Sequence, residues 1–147
     1  MAYKGHFRPE NPSKYIGNPT QIVYRSMWER KFMKYCDQSP NVIRWASEEV
    51  VIPYYSPIDR KAHRYFVDFL VEIKTPEGIK TWLVEIKPKK QCREPEKRKR
   101  VTRTYITEVK TWITNKAKWE AAKKVSDARG WEFKILTEDD LFGRNSK

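Results

Sequence analysis

Two carboxylates and a lysine stand inside strongly apolar stretches of this sequence. Asp68 lies in the run 63–74 and Glu85 in the run 79–87. Charged groups are rarely placed among apolar side chains unless they are paired or bind a metal. Lys87 follows Glu85 by two residues, so a β-strand would place both side chains on the same face. These residue types and spacings are those of a small acidic site that holds a cation.

The two runs predict a β-hairpin with a four-residue loop at 75–78, which places Asp68 directly opposite Glu85. Opposed residues share a face with Cβ atoms about 4.5 to 5.5 Å apart, and like charges there repel each other. A hard cation such as Mg²⁺ or Mn²⁺ relieves that repulsion, activates a water and stabilises a phosphate under attack. With Lys87 orienting the water or neutralising charge, the set indicates metal-assisted phosphodiester hydrolysis.

Simpler interpretations of these residues remain open. An E-x-K pair is common in strands, and a surface hairpin often carries an Asp opposite another polar residue. A register slip of one residue would also move Asp68 and Glu85 to different faces. Glu29 is a further candidate, but Ser26-x-x-Glu29 is typical of a helix-capping box, which explains Glu29 without any catalysis.

Composition narrows the class of protein. The chain has 147 residues, a net charge of +12 and 39% hydrophobic residues, which predicts a folded, basic, soluble domain rather than a disordered tail. No apolar run is long enough for a membrane span or a signal peptide, so no membrane partner is expected. Two cysteines and two histidines, far apart in the sequence, argue against a zinc site and leave carboxylates as the metal ligands.

The elements that must position these residues form a mixed α/β pattern. The element order predicts a central mixed sheet flanked by helices, within a single domain at 1–147 that has an irregular N-terminal arm at about 1–19. The first helix is expected to begin after the cap Ser26 and to end at Ser39-Pro40. Strands at 42–45 and 49–52, broken by Pro53, then precede the hairpin. After the hairpin we expect a helix at about 115–129 that ends at Gly130, a strand at 131–135 and a capped turn at Thr137.

Basic residues follow the E-x-K strand at once. The segment 87–103 contains nine Lys or Arg residues and two Glu, and so carries +7 of the total charge of +12. It is either a solvated surface or a phosphate-binding surface, and its position beside the acidic set favours double-stranded DNA as the partner, without sequence specificity. The candidate DNA-binding residues are Lys89, Lys90, Arg93, Lys97, Arg98, Lys99, Arg100 and Arg103. We expect Trp82, Trp112 and Trp119 to belong to the core rather than to stack on bases.

This set resembles the PD-(D/E)xK nuclease superfamily with the restriction-endonuclease-like fold. The matching residues are Glu29 on the first helix, Asp68 in the segment 64–69, and Glu85-Ile86-Lys87. One departure is Val67, which stands where the superfamily has proline; proline is not a ligand, so the chemistry is unaffected.

Longer segments resemble narrower families. Residues 24–29, 63–68 and 130–138 are similar to TnsA-like transposon-end nucleases. Residues 14–20 and 47–54, with the segment 24–26, are similar to the head-completion nucleases of large contractile-tailed phages, and this second likeness runs over nearly the whole chain.

The resemblance implies a restriction-endonuclease-like core and a Mg²⁺- or Mn²⁺-dependent DNA endonuclease. It implies that Asp68, Glu85 and the Ile86 carbonyl ligate the metal, that Glu29 completes the site, and that Lys87 is the catalytic lysine. The implied role is to trim packaged DNA at the portal of a filled phage head in the host cytoplasm. Portal or neck proteins are the expected partners, and association with the virion is a further implication. The alternative is a non-enzymatic basic capsid or neck component that grips DNA.

Overall fold

The computed structural model describes residues 4–143 of the chain. Within this range eight strands and three α-helices alternate with two short 3₁₀ helices, Pro12–Lys14 and Lys89–Cys92. The elements in chain order are β1 (Gly5–Phe7), β2 (Ile22–Tyr24), α1 (Met27–Gln38), β3 (Val42–Ser47), β4 (Val51–Ser56), β5 (Lys61–Phe66), β6 (Phe69–Thr75), β7 (Gly78–Ile86), α2 (Arg103–Arg129), β8 (Glu132–Leu136) and α3 (Glu138–Phe142).

A four-stranded mixed sheet in the order β3-β6-β7-β8 forms the centre of the molecule. Strand β6 runs antiparallel to β3 and β7, whereas β8 runs parallel to β7. A parallel pair needs a long crossover connection, and α2 provides it between β7 and β8. The prediction of a mixed α/β fold with a central sheet is confirmed. The strand pairs β1-β2 and β4-β5 form two separate two-stranded ribbons.

The hairpin register agrees with the prediction, but the first predicted strand is not continuous. Lys74 pairs with Ile79 and Phe69 with Val84, as the loop at 75–78 requires. The run 63–74 is divided, however, into β5 and β6, and Asp68 lies in a bend between them. Strand β5 pairs with β4, while β6 pairs with β3 and β7, so the chain changes its pairing partners at this bend.

The sheet buries both faces against different clusters of apolar side chains. Phe69 and Val84, which pair across β6 and β7, pack in the cluster that includes Phe32 and Met33 of α1. The next pair, Leu70 with Leu83, packs in a second cluster with side chains of α2. Because side chains alternate between faces, Glu85 lies on the same side of β7 as Leu83, which is the side of the second cluster.

Helix boundaries follow their capping residues. Ser26 caps α1 through a hydrogen bond from the Glu29 amide to its hydroxyl, as predicted, and Gly130 ends α2 with a positive φ of 73°. The start of α2 was wrong: the helix begins at Arg103, after the N-cap Thr102, and not at about residue 115. The sequence supports this earlier start, because the apolar residues at 105, 106, 109, 112 and 113 have helical spacing.

The predicted break at Pro53 was also wrong. Strand β4 continues through Pro53, which pairs with Arg64 of β5. A two-stranded ribbon has an open edge on each strand, and a proline is tolerated at such an edge because no neighbour requires its missing N–H. The capped turn predicted at Thr137 is present as α3, which begins with a complete capping box between Thr137 and Asp140.

The segment before β2 is fastened to the C-terminal end of α1. In its described part this segment contains β1 and one 3₁₀ turn, in contrast to the irregular arm expected at about 1–19. The side chain of Asp37, which is 1% exposed, accepts hydrogen bonds from the Glu10 and Asn11 amides at 2.8 and 2.9 Å. Lys14 Nζ donates to the carbonyl of Asp37 at 3.0 Å. These contacts tie the start of the chain to the core.

Substitution of Asp37 by alanine tests this fastening. Asp37→Ala leaves two backbone donors without their charged acceptor, and we expect the free energy of unfolding to fall by about 2 to 4 kcal/mol. Urea denaturation followed by tryptophan fluorescence measures the loss. Asp127→Ala is the control, because the exposed side chain of Asp127 forms an ion pair with Lys123 whose removal should cost about 0.5 kcal/mol or less. Equal losses in both variants would show that the contacts of the Asp37 side chain contribute little to stability.

Candidate active site

Four of the predicted site residues lie together where β6 begins and β7 ends. The Ile86 amide donates a hydrogen bond to Asp68 Oδ2 at 2.8 Å, which joins the bend before β6 to the end of β7. Lys87 Nζ lies 3.6 Å from Glu85 Oε2. Glu85 is only 6% exposed. Asp68, Glu85 and Lys87 therefore lie near one another at the end of the hairpin. In contrast to the prediction, however, Asp68 is in the bend before β6 and does not pair with Glu85 in the sheet register.

Asp68 has an unusual protonation equilibrium. Burial and the negative charge of Glu85 raise the pKa of Asp68 to about 8, with a smaller contribution from Glu29. The hydrogen bond from the Ile86 amide and the charge of Lys87 act in the opposite direction but do not compensate. The site concentrates more negative charge than its own positive groups neutralise, and this is the environment that a divalent cation stabilises.

Glu29 lies in the electrostatic field of the same group of residues. Its Oε1 accepts a hydrogen bond from the Arg25 amide at 3.2 Å, while its own amide donates to Ser26 Oγ at 3.1 Å. It therefore caps α1, with the carboxylate reaching one residue further back than in a standard capping box. Burial raises the pKa of Glu29, and among the weaker contributions are the charges of Glu85 and Lys87. The capping role of Glu29 is present, and its role as a metal ligand stays a prediction.

The available donors suit a hard cation. Among residues 4–143, no three or more His, Cys, Asp and Glu side chains are grouped closely enough to form a metal-binding set alone. Mg²⁺ is nevertheless commonly held by one or two carboxylates and keeps several of its waters. Asp68, Glu85 and the backbone carbonyl of Ile86 would provide such a set, with oxygen atoms only. The raised pKa of Asp68, which results from burial and the neighbouring Glu85, is the feature of this structure that fits such an ion.

Tyr65 belongs to this site and was not among the predicted site residues. Its hydroxyl donates a hydrogen bond to Glu85 Oε1 at 2.6 Å, and its side chain is 4% exposed. Burial and the charge of Glu85 raise the pKa of Tyr65 well above its ordinary value, so it remains a donor throughout the accessible pH range. The contact orients one oxygen of Glu85, as supporting residues around metal ligands do. The contact joins β5 to β7, which do not pair with each other, so no sequence spacing indicates it.

The basic residues predicted to bind DNA are exposed, and two of them are already paired. Lys89 Nζ contacts Asp139 at 3.0 Å, and Arg98 contacts Glu108 at 3.2 Å. Exposed ion pairs of this kind contribute little stability, so both cations can exchange to a phosphate at small cost. The full exposed set is Lys89, Lys90, Arg93, Lys97, Arg98, Lys99, Arg100 and Arg103. Their role in DNA binding stays a prediction.

Comparison with known proteins identifies the family. The family described as TnsA-like endonuclease, N terminal, matches residues 39–138. The chain belongs to the TnsA-like endonuclease family. The head completion nuclease of Enterobacteria phage T4 is 42% identical over 145 residues, which cover 96% of this chain and 95% of that protein. No solved structure matches the chain.

The family match confirms the nuclease class and the restriction-endonuclease-like fold that the sequence predicted. Asp68, Glu85 and Lys87 lie inside the range 39–138 that the family covers, whereas Glu29 precedes it.

The raised pKa of Asp68 predicts how stability depends on pH without metal. An acid whose pKa is higher in the folded than in the unfolded state destabilises the fold once it ionises, so this cost is absent below pH about 4 and complete above pH about 8. We expect Asp68→Asn to be more thermostable than the unsubstituted chain in EDTA, by a margin of a few degrees that grows between these pH values. Thermal unfolding at several pH values measures it, with Asp127→Asn as control. A margin that does not change with pH would show that the pKa of Asp68 is not raised.

Glu29→Gln separates the two roles of Glu29. Glutamine retains an oxygen that can accept the Arg25 amide, so the cap survives while the charge is lost. If the charge helps to hold the metal, the melting temperature should change little and Mn²⁺ affinity should fall by about tenfold. Isothermal titration calorimetry with Mn²⁺ gives the affinity of the folded protein. A destabilised variant with unchanged affinity would leave Glu29 as a cap only.

Proposed function

We propose that this protein is a Mg²⁺- or Mn²⁺-dependent DNA endonuclease that trims packaged phage DNA during head completion. The observation that carries the proposal is the pair of carboxylates at the end of the hairpin, with Asp68 held at a high pKa and Lys87 beside Glu85. Membership of the TnsA-like endonuclease family supports the activity. Similarity to a protein named as a head completion nuclease supports the role.

Each residue of the site has a task in this chemistry. A divalent cation held by Asp68 and Glu85 would lower the pKa of a water and stabilise the charge that develops on the phosphate. Tyr65 and the Ile86 amide each bond one oxygen of these carboxylates, and thereby orient the remaining oxygens. Lys87, which is partly exposed and lies beside Glu85, would orient the attacking water or neutralise the phosphate.

The surrounding charge supports a nucleic-acid substrate. The acidic site repels phosphate in the absence of metal, and the segment 87–103 provides the compensating positive potential next to it. Neutralisation of phosphates by Lys and Arg gives affinity that depends on salt but not on base sequence. We propose that the substrate is double-stranded DNA. The reaction would take place in the host cytoplasm, at the portal or neck proteins of the phage head. No helix within residues 4–143 is long and apolar enough to cross a membrane.

A cleavage assay tests the proposed activity. The protein should convert plasmid and linear DNA to shorter products with Mg²⁺ or Mn²⁺ and not with EDTA. Asp68→Ala and Lys87→Ala should each lower the rate by about 100-fold or more, since both remove a group that acts on the reacting atoms. Asp127→Ala and Lys124→Ala lose the same charges on exposed positions of α2 and should cleave at the original rate.

Two results would contradict this assignment. Equal cleavage by all four variants would mean that the reaction takes place elsewhere on the chain. Binding of DNA without cleavage under any metal would favour the alternative function, in which the protein is a basic capsid or neck component that only grips DNA.

A further inference from the structure

A cleft with many charged side chains lies between residues 90–98, which closely follow Lys87 in the chain, and the first turns of α2. Its volume is about 740 Å³. Five basic and three acidic side chains line it, so the lining is net positive, and one of the acidic residues, Glu108, already pairs with Arg98. Hydroxyls of α2 complete the wall, among them Thr107 and Thr111, which lie one turn apart. The basic side chains are Lys90, Arg93, Lys97, Arg98 and Arg103.

Asn115 provides an independent indication of a ligand. It lines the cleft, it is 5% exposed, and its Nδ2 has no hydrogen-bond partner among the residues that the structure describes. A buried amide donor without an acceptor is destabilising, and such groups in folded proteins call for an explanation. An acceptor that enters the cleft from outside would provide one. Trp112 also lines the cleft and belongs to neither apolar cluster, in contrast to the expectation that it lies in the core. Its ring contacts Trp119 edge-on, with centroids 6.3 Å apart, and provides an aromatic wall to the cleft.

The size and position of the cleft restrict what can enter it. Sites of this volume hold small molecules, and a double helix, whose major groove alone is about 12 Å wide, cannot enter. A single strand can do so, since one nucleotide brings a phosphate, a ring to stack and base oxygens that accept hydrogen bonds. Lys90 of the lining is three positions after Lys87, so their Cα atoms are at most about 11 Å apart. The cleft therefore begins within about 11 Å of Lys87.

We propose that this cleft binds an unpaired nucleotide of the DNA strand next to the cleavage site, so that the enzyme prefers duplexes with a single-stranded tail or a frayed end. The phosphate contacts the basic side chains and the Thr107 and Thr111 hydroxyls, and a base oxygen accepts from Asn115 Nδ2. This inference rests on the proposed nuclease function and adds the structure of its substrate.

Binding without metal tests the cleft independently of catalysis. Fluorescence anisotropy in EDTA compares a short blunt duplex with the same duplex that carries a 3′ or a 5′ single-stranded tail. We expect one of the tailed duplexes to bind about tenfold more tightly than the blunt one. Thr107→Val with Thr111→Val removes two exposed hydroxyls without any change of charge, and should abolish most of this preference while blunt-duplex affinity stays the same.

Two further variants keep the test decisive. Asn115→Leu removes the unpartnered donor and should also reduce the preference, whereas Thr114→Val, on α2 but outside the cleft lining, should retain it. Equal affinity for tailed and blunt DNA, or a preference that survives both cleft variants, would overturn the inference. Cleavage of DNA with no tail preference would leave the proposed function in place, and a tail preference without any metal-dependent cleavage would contradict the proposed function alone.

Discussion

The repulsion between Asp68 and Glu85 is the constraint on which the rest of the site depends. A fold that brings two carboxylates together away from solvent has to offset the cost of their charge. Three contacts do part of this: the Ile86 amide bonds Asp68, Tyr65 bonds Glu85, and Lys87 lies beside Glu85. They leave Asp68 with a pKa of about 8. A divalent cation supplies what is missing, so the same feature that weakens the metal-free fold would favour metal binding.

The bend at Asp68 makes these contacts possible. Strand β5 belongs to the ribbon with β4, and β6 belongs to the central sheet, so the chain changes its neighbours between Phe66 and Phe69. The change lets Tyr65, on one ribbon, reach Glu85 on a strand with which it does not pair. If residues 63–74 had formed one unbroken strand paired with β7, Tyr65 would lie opposite a position beyond the C-terminal end of β7. It would then not be opposite Glu85. The loss of regular strand geometry at one point is thus part of how the site is built.

Opposite charges are separated in space in a way that suits a nuclease. The carboxylates are held at the end of β7, while the basic side chains are exposed on the segment that follows it. In the proposed function, DNA attracted by the basic segment would meet the acidic site at its edge. The net charge of +12 by itself indicates only an affinity for polyanions. The position of much of that charge next to an acidic site in the chain is what favours the proposed cleavage of DNA over simple binding.

Local rules determined much of this protein from its sequence alone. The alternation of apolar residues and the four-residue loop were sufficient for the register that pairs Lys74 with Ile79 and Phe69 with Val84, because strand pairing across a short loop involves few alternatives. Ser26 and Gly130 marked helix ends for equally local reasons, since each satisfies backbone groups within one turn. Tertiary structure alone decided the break of the strand at Asp68 and the contact of Tyr65 with Glu85. Both depend on partners from distant parts of the chain, and no fixed spacing in the sequence indicates such partners.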